Sequence, residues 1–290
     1  MILVTGATGT VGRELVARLA DMGEPVHAMT RRPDDMHAPP GVEPVYGDAG
    51  DPASLDAAFR GATAAFCMSA QAVGGAAGPT HDLALVAAAR HAGVARVVKL
   101  SVYDGGRGGT DPMAAWHARA EAAVTGSGLA WTLLRPGRFM TNTLHWAPMI
   151  ARGDTVTIPF ADLPTASIDP ADIAEVAALA LTTGDHDGAA YRLTGPEAMT
   201  PAEELALIGK ELDRPLAAVE PPAEAFRAGM LRSGMSGDVV DTILTRMRDD
   251  PPAPEIQPTV ADVLGRPATP FTDWLGRHLD AFTVRAGEGD

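Results

Sequence analysis

A glycine-rich turn near the start of the chain places the strongest constraint on its fold. In TGATGTVG, residues 5–12, Gly6, Gly9 and Gly12 are spaced three apart, after the apolar run MILVT and at the head of a helical pattern. Such spacing permits a tight turn, a close backbone approach to a pyrophosphate and close packing of helix on strand. It predicts a dinucleotide-binding loop; the alternative is a glycine-rich turn without a ligand. The residues predicted to contact the cofactor are Gly6, Thr8, Gly9, Thr10, Val11 and Gly12.

Strand and helix signals alternate through the first half of the chain. Strands are predicted at residues 1–5, 25–30, 42–48, 63–68, 95–101 and 129–135. Helices are predicted at residues 10–22, 52–61, 81–93 and 111–127. This alternation indicates right-handed βαβ units, and the apolar runs indicate a sheet covered on both faces. The predicted fold class is α/β, a Rossmann-type doubly wound parallel sheet with a smaller C-terminal α/β lobe.

The pattern loosens after Pro136. Further helices are predicted at residues 170–183, 200–212, 223–232, 237–248 and 271–283. Thr200, Pro201 and Glu203 have the pattern of an N-cap, an N1 proline and a capping-box acid. The proline-rich stretch 249–258 is interpreted as a surface loop. We therefore predict a dinucleotide-binding domain over residues 1–150 and a smaller substrate-binding lobe over residues 151–290, packed on the first.

Composition argues against several classes of function. The formal net charge of −14 is unsuited to a surface that neutralises nucleic-acid phosphates. A single cysteine, Cys67, excludes an internal disulfide and is typical of a reducing cytoplasm. No apolar run reaches the roughly 18 residues of a membrane span. The histidines are scattered, so we do not expect a metal centre. The sequence has no G-x-S-x-G elbow, so we do not expect a serine hydrolase. We expect a soluble cytoplasmic protein.

The end of the second predicted strand indicates which dinucleotide the loop would bind. An acidic residue near this point would hold a ribose 2′-hydroxyl and indicate NAD. Here the strand ends in Thr30, Arg31 and Arg32, and two guanidinium groups suit a 2′-phosphate. We therefore expect NADPH (NADP+) rather than NADH, the alternative being that both arginines are merely solvated. Asp48, after the third strand, is expected either to accept from the adenine amino group or to cap a turn.

The segments ILVTGATGTVG, TRRP, VYGDAGDPASLDAAFRG, VVKLSV, HARAEAAVTGSGLAWTLLRPGRFMTN and GRPATPFTDWL cover most of the chain in order. Together they resemble the NmrA-like group of atypical short-chain dehydrogenase/reductases, which includes the NAD(P)H:quinone oxidoreductase type-2-like proteins. The resemblance implies NAD(P)(H) at the carboxyl ends of the strands and a substrate cleft between the main sheet and the C-terminal lobe. Typical members of the wider superfamily use a Tyr-x-x-x-Lys pair with a serine. The tyrosine acts as the acid, and the lysine lowers the pKa of the tyrosine and holds the ribose. This sequence departs from them, because His117 and Glu121 occupy the helix where that pair would lie.

Three residues are predicted to take part in chemistry: Ser101, Tyr103 and His117. Ser101 would hydrogen-bond a substrate carbonyl, help to order Tyr103, or satisfy its own backbone. Tyr103 would replace the missing acid or be a loop aromatic. His117 has an ordinary pKa suited to proton transfer near neutrality and could be oriented by Glu121, unless both lie on a solvated helix face. Lys99, in mid-strand, is expected to pair with a local carboxylate or carbonyl.

Two further segments enter the site through the resemblance. The segment after the fourth strand is implied to pass under the nicotinamide ribose, and the segment after the sixth to run past the nicotinamide. The residues implied are Ser69, Ala70, Gln71, Pro136 and Gly137 for the cofactor, and Phe139, Asn142 and Trp146 for the substrate. Trp146, Met149 and Phe160 are candidate substrate-pocket liners, and core packing explains them as well.

The expected activity is that of an NADPH-dependent oxidoreductase that moves hydride to a quinone, an enone or a polyketide-like aromatic ketone. The reduced oxyanions of such acceptors are delocalised, which suits a site with a weak proton relay. The alternatives are a non-catalytic NADP(H)-binding redox sensor that acts through a protein partner, and an isomerase or epimerase on the same fold. Arginine- and alanine-rich usage hints at a high-GC genome and secondary metabolism. No nucleic-acid or membrane partner is expected, and a homodimer is left open.

Overall fold

A computed structural model describes residues 1–69, 71, 78–103, 112–249 and 254–283. Within these residues the strands are β1 (Ile2–Val4), β2 (Val26–Thr30), β3 (Val42–Tyr46), β4 (Ala64–Cys67), β5 (Arg96–Leu100), β6 (Ala130–Pro136), β7 (Thr155–Thr157), β8 (Ala189–Leu193) and β9 (Ala217–Val219). The helices are α1 (Thr10–Asp21), α2 (Pro52–Ala58), α3 (Thr80–His91), α4 (Pro112–Thr125), α5 (Ala147–Ile150), α6 (Pro170–Thr182), α7 (Pro201–Glu211), α8 (Ala223–Arg232), α9 (Gly237–Asp249), α10 (Thr259–Leu264), α11 (Phe271–His278) and α12 (Asp280–Thr283). Short 3-10 helices cover Pro33–Asp35 and Met140–Trp146.

Seven of the described strands form one parallel sheet in the order β3-β2-β1-β4-β5-β6-β8. Alternate strand residues such as Leu3 and Val97 pack with buried residues of α2, α3 and α4. Their neighbours Val4 and Val98 are also buried and point to the opposite face, as the alternation of side chains along a strand requires. On that face α1 packs against α6. Helices therefore cover both faces, which explains why the strands are apolar.

The strand order places a natural ligand crevice beside β1. The chain runs outward from β1 to β2 and β3, then returns to β4 on the other side of β1. In open α/β sheets, ligands bind at the carboxyl ends of the strands where the order reverses in this way. The glycine-rich turn between β1 and α1 lies at that point. The predicted Rossmann-type fold class is confirmed.

Strand β8 is the element of the main sheet that the sequence patterns did not predict. It forms the end of the sheet, beside β6, with Leu134 opposite Tyr191 and Arg135 opposite Arg192. An edge strand is less enclosed than a central one, and most residues of β8 are only half buried or exposed. Its sequence AAYRL accordingly lacks the apolar signal of the central strands.

The chain folds into two compact units, each of which is discontinuous in sequence. The first contains Met1–Pro136 and Pro170–Leu193, and the second contains Gly137–Asp169 and Thr194–Asp290. This division differs from the continuous ranges 1–150 and 151–290 expected from the sequence. The physical reason is that β8 completes the main sheet beside β6, and α6 packs on α1, so residues 170–193 return to the first unit.

The second unit has its own core. β7 and β9 form a two-stranded parallel sheet. The buried side chains of this core are Met140, Trp146, Ile150, Val156, Ile158, Ala161, Leu205, Ile208, Phe271, Trp274, Leu275 and Phe282. The predicted capping box of α7 is present: Glu203 N–H donates to Thr200 Oγ1 over 3.1 Å, and Thr200 N–H donates to Glu203 Oε2 over 2.8 Å. Among the described residues, no helix has both the length and the apolar character that a membrane span requires.

Candidate active site

The glycine-rich turn has the geometry of a phosphate cradle. Gly6 adopts a φ of +62°, in the left-handed region where a side chain is strained. Gly9 forms the N-cap of α1 without a side-chain hydrogen bond, and its N–H donates to the Gly6 carbonyl over 2.8 Å. The first amide groups of α1 are therefore not covered by a capping side chain. An uncapped helix N-terminus is a natural binding site for phosphate oxygens.

Gly12 lets α1 approach the turn closely. A Cβ at this position would lie 2.1 Å from the Gly6 carbonyl oxygen, closer than real contacts allow. At Gly9 a Cβ would lie 3.1 Å from the same oxygen, which is tight but closer to tolerable. The cradle thus exists only because these positions carry no side chain. Thr8 is exposed beside it, whereas the Val11 side chain is buried in the core.

The two predicted 2′-phosphate ligands lie directly after β2. Arg31 and Arg32 are both exposed, and the side chain of Arg32 is 83% exposed. Arg32 Nε lies 3.5 Å from Asp35 Oδ2, a loose surface pair that competes little for the guanidinium. Both arginines are therefore accessible at the carboxyl end of the strand next to β1.

The turn after β3 supports the capping alternative for Asp48. Asp48 Oδ1 accepts from the Gly50 N–H over 2.8 Å, and its backbone N–H donates to Ser54 Oγ over 2.9 Å. This closes the turn that leads into α2, whose N-terminus is capped by Asp51. The alternative, that the other carboxylate oxygen of Asp48 accepts a hydrogen bond from the adenine amino group, stays a prediction.

The segment after β4 is partly described. Gln71 uses its side chain to close the entry to α3: Oε1 accepts from the His81 N–H over 3.0 Å, and Nε2 donates to the Gly78 carbonyl over 3.2 Å. Ser69 Oγ accepts from the Gln71 N–H over 3.2 Å. The role predicted for this segment beside the ribose stays a prediction. Ala70, the third residue predicted here, lies outside the described residues.

Glu121 lies at the centre of a buried polar network at the carboxyl ends of β5 and β6. Ser101 Oγ donates to Glu121 Oε1 over 2.6 Å. Arg135 donates to both carboxylate oxygens, from Nε over 3.0 Å and from Nη2 over 2.6 Å. Glu121 and Ser101 are 4% and 5% exposed, so the carboxylate is a buried charge that needs this bidentate partner. The geometry ties α4, β5 and β6 together at one corner.

The same network changes the expectations for Ser101 and His117. The Ser101 hydroxyl proton is directed at Glu121, so a bond to a substrate carbonyl would require Ser101 to release that carboxylate. Glu121 contacts Ser101 and Arg135, and within the described residues His117 Nδ1 is buried without a hydrogen-bond partner. The expected orientation of His117 by Glu121 is therefore not found.

The protonation state of His117 also differs from the expectation. Burial and, secondarily, the positive charge of Lys99 lower the pKa of His117 from 6.5 to about 4. The imidazole is therefore neutral at physiological pH. It can donate or accept a hydrogen bond, but it is a poor cationic acid near neutrality. The expected pKa near neutrality is wrong for this buried side chain.

Lys99 is paired as expected. Its Nζ lies 2.5 Å from Asp82 Oδ1 and donates to the Leu100 carbonyl over 3.2 Å. Both side chains of the ion pair are at most 5% exposed. Burial raises the pKa of the nearby Cys67 thiol to about 12, so Cys67 stays protonated and is no nucleophile. This cluster binds α3 to β5 and serves the fold.

Tyr103 has a partner that sequence reasoning missed. The guanidinium carbon of Arg192, on β8, lies 5.1 Å from the centre of the Tyr103 ring. Tyr103 is half-buried in the turn that follows β5. The sequence signal for Arg192 is the short AAYRL segment: an edge strand at this position would place Arg192 beside β6. Ser101, Tyr103, Glu121, Arg135 and Arg192 thus converge at one corner of the first unit.

The remaining predicted residues fall on both sides of the unit boundary. Pro136 ends β6 in the first unit, opposite Leu193. In the second unit, Phe139 is half-buried and paired with Ile168, and Asn142 is exposed. Trp146 is 7% exposed in the core, with the Arg138 guanidinium 5.8 Å from its ring centre. Core packing therefore accounts for Trp146, and its predicted role toward substrate stays a prediction, as does the backbone contact predicted for Gly137.

The comparisons with known proteins agree with this geometry. A family model described as NAD(P)H-binding matches residues 6–183. The chain is 42% identical to a (4-alkanoyl-5-oxo-2,5-dihydrofuran-3-yl)methyl phosphate reductase of Streptomyces griseus, over 97% of this chain and 99% of that protein. It is 32% identical to an NAD(P)H azoreductase of Xenophilus azovorans, again over 97% and 99%. An NADPH-dependent quinone oxidoreductase of Escherichia coli, solved with NADPH, superposes with a TM-score of 0.78 at 25% identity, over 96% of this chain and 99% of that one.

The chain belongs to the NAD(P)H-binding family, and its fold and relatives are of the NmrA-like, atypical short-chain dehydrogenase/reductase type. Its relatives are named as reductases and oxidoreductases, and the chain is an NAD(P)H-dependent oxidoreductase. The cradle at Gly6, Gly9 and Gly12 fits the pyrophosphate of that cofactor, because the glycines hold the N-terminus of α1 close to the turn and no capping side chain covers it.

Replacing Gly12 by alanine is expected to lower NADPH affinity by about 100-fold or more, because α1 must move away from the Gly6 carbonyl. Gly9→Ala should have a smaller effect, in keeping with its longer contact. Fluorescence titration of NADPH measures both. Gly276→Ala, where a Cβ meets nothing within 4 Å, is the control and should bind normally. Unchanged affinity in folded Gly12→Ala would show that the turn does not hold the cofactor.

The buried His117 predicts a dependence of stability on pH. The folded pKa is about 4 and the ordinary value is 6.5, so the unfolded state binds more protons between these values and stability falls as the pH drops. His117→Asn should remove this contribution, roughly 2 to 3 kcal/mol between pH 7 and pH 4. Urea unfolding of both proteins across that range measures it. Parallel stability curves would contradict the lowered pKa.

Proposed function

We propose that this protein is an NADPH-dependent reductase that delivers hydride to a conjugated carbonyl acceptor, with an enone favoured over a quinone or an aromatic ketone. The observation that carries the proposal is the corner at the carboxyl ends of β5, β6 and β8. There, Tyr103 lies beside Arg192, while Ser101 and Arg135 are held by Glu121. A phenol provides a proton donor in a site that lacks the Tyr-x-x-x-Lys pair.

The preference for an enone is supported by the relative from Streptomyces griseus. Its named substrate is a 5-oxo-2,5-dihydrofuran with a 4-alkanoyl group, so the ring double bond is conjugated with two carbonyl groups. An alkene activated in this way accepts hydride at its β-carbon, and the electron pair moves to oxygen as a delocalised oxyanion. Such an acceptor needs modest acid assistance, which agrees with a neutral His117 and with the phenol of Tyr103 as the acid.

The residues of this chain would act in separate roles. When bound, NADPH supplies the hydride. The cradle of Gly6, Gly9 and Gly12 holds its pyrophosphate at the N-terminus of α1. Tyr103 donates the proton that the reduced substrate takes up, and solvent restores the phenol. Ser101 and Glu121 keep the end of β5 in place, so that Tyr103 is presented at the carboxyl edge of the sheet.

NADPH is proposed over NADH because Arg31 and Arg32 are exposed at the end of β2, with no acidic residue in the strand's last positions. Two guanidinium groups match the oxygens of a 2′-phosphate through charge-assisted hydrogen bonds.

The double substitution Arg31→Gln and Arg32→Gln should lower NADPH affinity about ten- to a hundredfold, because charge-assisted bonds to the 2′-phosphate are lost. NADH affinity should change by less than about twofold, since NADH has no such phosphate. Isothermal titration calorimetry measures both. Arg90→Gln is the control: Arg90 is exposed in the last turn of α3, at the amino edge of the sheet. Equal losses for the two cofactors would contradict the assignment.

The activity is tested by following NADPH absorbance at 340 nm with a substrate panel. The panel contains an acyl-substituted dihydrofuranone with and without a methyl phosphate arm, a cyclic enone, a naphthoquinone, an azo dye and an aromatic ketone. Oxidation that depends on both protein and substrate, fastest with the dihydrofuranones, is the expected result. Tyr103→Phe should lower kcat by about 100-fold at unchanged NADPH affinity, as expected for a lost general acid.

Other outcomes would redirect the proposal. Tight NADPH binding without turnover across the panel would indicate a redox sensor. Product formation without net NADPH consumption would indicate an isomerase. Turnover of the naphthoquinone alone would move the substrate class from enones to quinones.

A further inference from the structure

Two arginines lie side by side at the carboxyl end of the main sheet. β6 and β8 are paired so that Arg135 and Arg192 are opposite each other, one residue before the end of each strand. Side chains at paired positions of neighbouring strands point to the same face. Two adjacent cations at a partly buried edge repel each other unless each has a partner of its own.

The two arginines have different partners. Arg135 forms a bidentate pair with the buried Glu121 carboxylate, so its charge is balanced within α4 and β6. Arg192 instead lies over the Tyr103 ring, with 5.1 Å from the guanidinium carbon to the ring centre. A cation over an aromatic face is attracted by the ring quadrupole and holds the ring in one orientation.

We propose that Arg192 is a positioning residue for Tyr103: it holds the ring at the carboxyl edge of the sheet and makes the phenol a stronger acid. The inference rests on the proposed function, in which Tyr103 donates the proton. A positive charge beside the ring favours the phenolate that remains after proton donation. In this respect Arg192 provides what the lysine of a Tyr-x-x-x-Lys pair provides, from an edge strand instead of the helix.

The other charged groups at this corner are paired with each other in the described residues. Glu121 of α4 is matched by Arg135 of β6, and Lys99 of β5 is matched by Asp82 of α3. Segment 104–111, which contains Asp104, Arg107 and Asp111, follows Tyr103 outside the described residues. A comparison of Arg192 variants in an otherwise unchanged chain isolates the contribution of this one cation.

The acidity of Tyr103 can be measured without substrate. The chain has three tyrosines, so the difference between wild-type and Tyr103→Phe phenolate absorbance at 295 nm reports Tyr103 alone. The same difference is taken in an Arg192→Gln background. Removal of the cation should raise the Tyr103 pKa by about one pH unit. Arg192→Lys keeps a charge without a planar face and should retain part of the effect.

Kinetics give the second readout. The alkaline limb of kcat/KM reports loss of the acid, so it should move up by about one pH unit in Arg192→Gln. Below that limb, kcat should fall about tenfold while KM changes less than about twofold. Tyr103→Phe combined with Arg192→Gln should be no slower than Tyr103→Phe alone, because the arginine acts through the tyrosine. Arg96→Gln is the charge control, since Arg96 pairs with Asp187 at the amino end of β5.

An unchanged Tyr103 pKa in folded Arg192→Gln would overturn the inference, whatever the turnover. If Arg192→Gln does not fold, Arg192→Met decides, because it keeps an unbranched side chain and removes the charge: a Tyr103 pKa and alkaline limb identical to wild type at full kcat would equally overturn it. Absence of turnover across the substrate panel counts against the proposed function and leaves the titration result standing. The two failures are therefore distinguishable.

Discussion

The close approach of α1 to the turn after β1 is the constraint on which the rest of the site depends. The space between Gly12 and the Gly6 carbonyl cannot hold a Cβ, and the left-handed φ of Gly6 turns the chain back within a few residues. Packing of α1 in this position places Val11, Leu15 and Leu19 in the core. It also leaves the first amides of α1 at the point where the strand order reverses. One steric condition thus serves both the core and the cofactor cradle.

Buried charge determines the corner at the carboxyl ends of β5, β6 and β8. Glu121 would be costly to bury alone, and its bidentate contact with Arg135 makes it tolerable. Ser101 also donates to this carboxylate, and His117 has no partner at Nδ1 within the described residues. The pair also separates the roles of the two neighbouring arginines, because Arg135 contacts Glu121 while Arg192 lies over Tyr103. The chemistry of the corner therefore follows from how one carboxylate is satisfied.

The glycine cradle and the corner at β5, β6 and β8 differ in how far they could be predicted from the sequence. The cradle depends on residues that are adjacent in the chain, so Gly6, Gly9 and Gly12 could be interpreted from spacing alone. The exposed arginines after β2 belong to the same kind of local signal. The corner at β5, β6 and β8 also includes residues of α4, and its contacts join residues up to about ninety positions apart in sequence. Spacing suggested a pair of His117 with Glu121 on one helix face, whereas Glu121 found partners on neighbouring strands that a helical pattern cannot reveal.

The amino-acid sequence by itself determined the alternation of strands and helices, the phosphate cradle and the preference for a parallel sheet covered on both faces. These follow from local sterics and from the periodicity of apolar residues, which act over a few positions. Tertiary structure alone decided that residues 170–193 return to the first unit, that Glu121 belongs to Arg135 and Ser101, and that Arg192 reaches Tyr103. The physical reason is that hydrogen bonds between strands and the pairing of buried charges depend on distances in space. Arg192 is the clearest example, because it lies on the edge strand β8, whose weak apolar signal did not predict a strand.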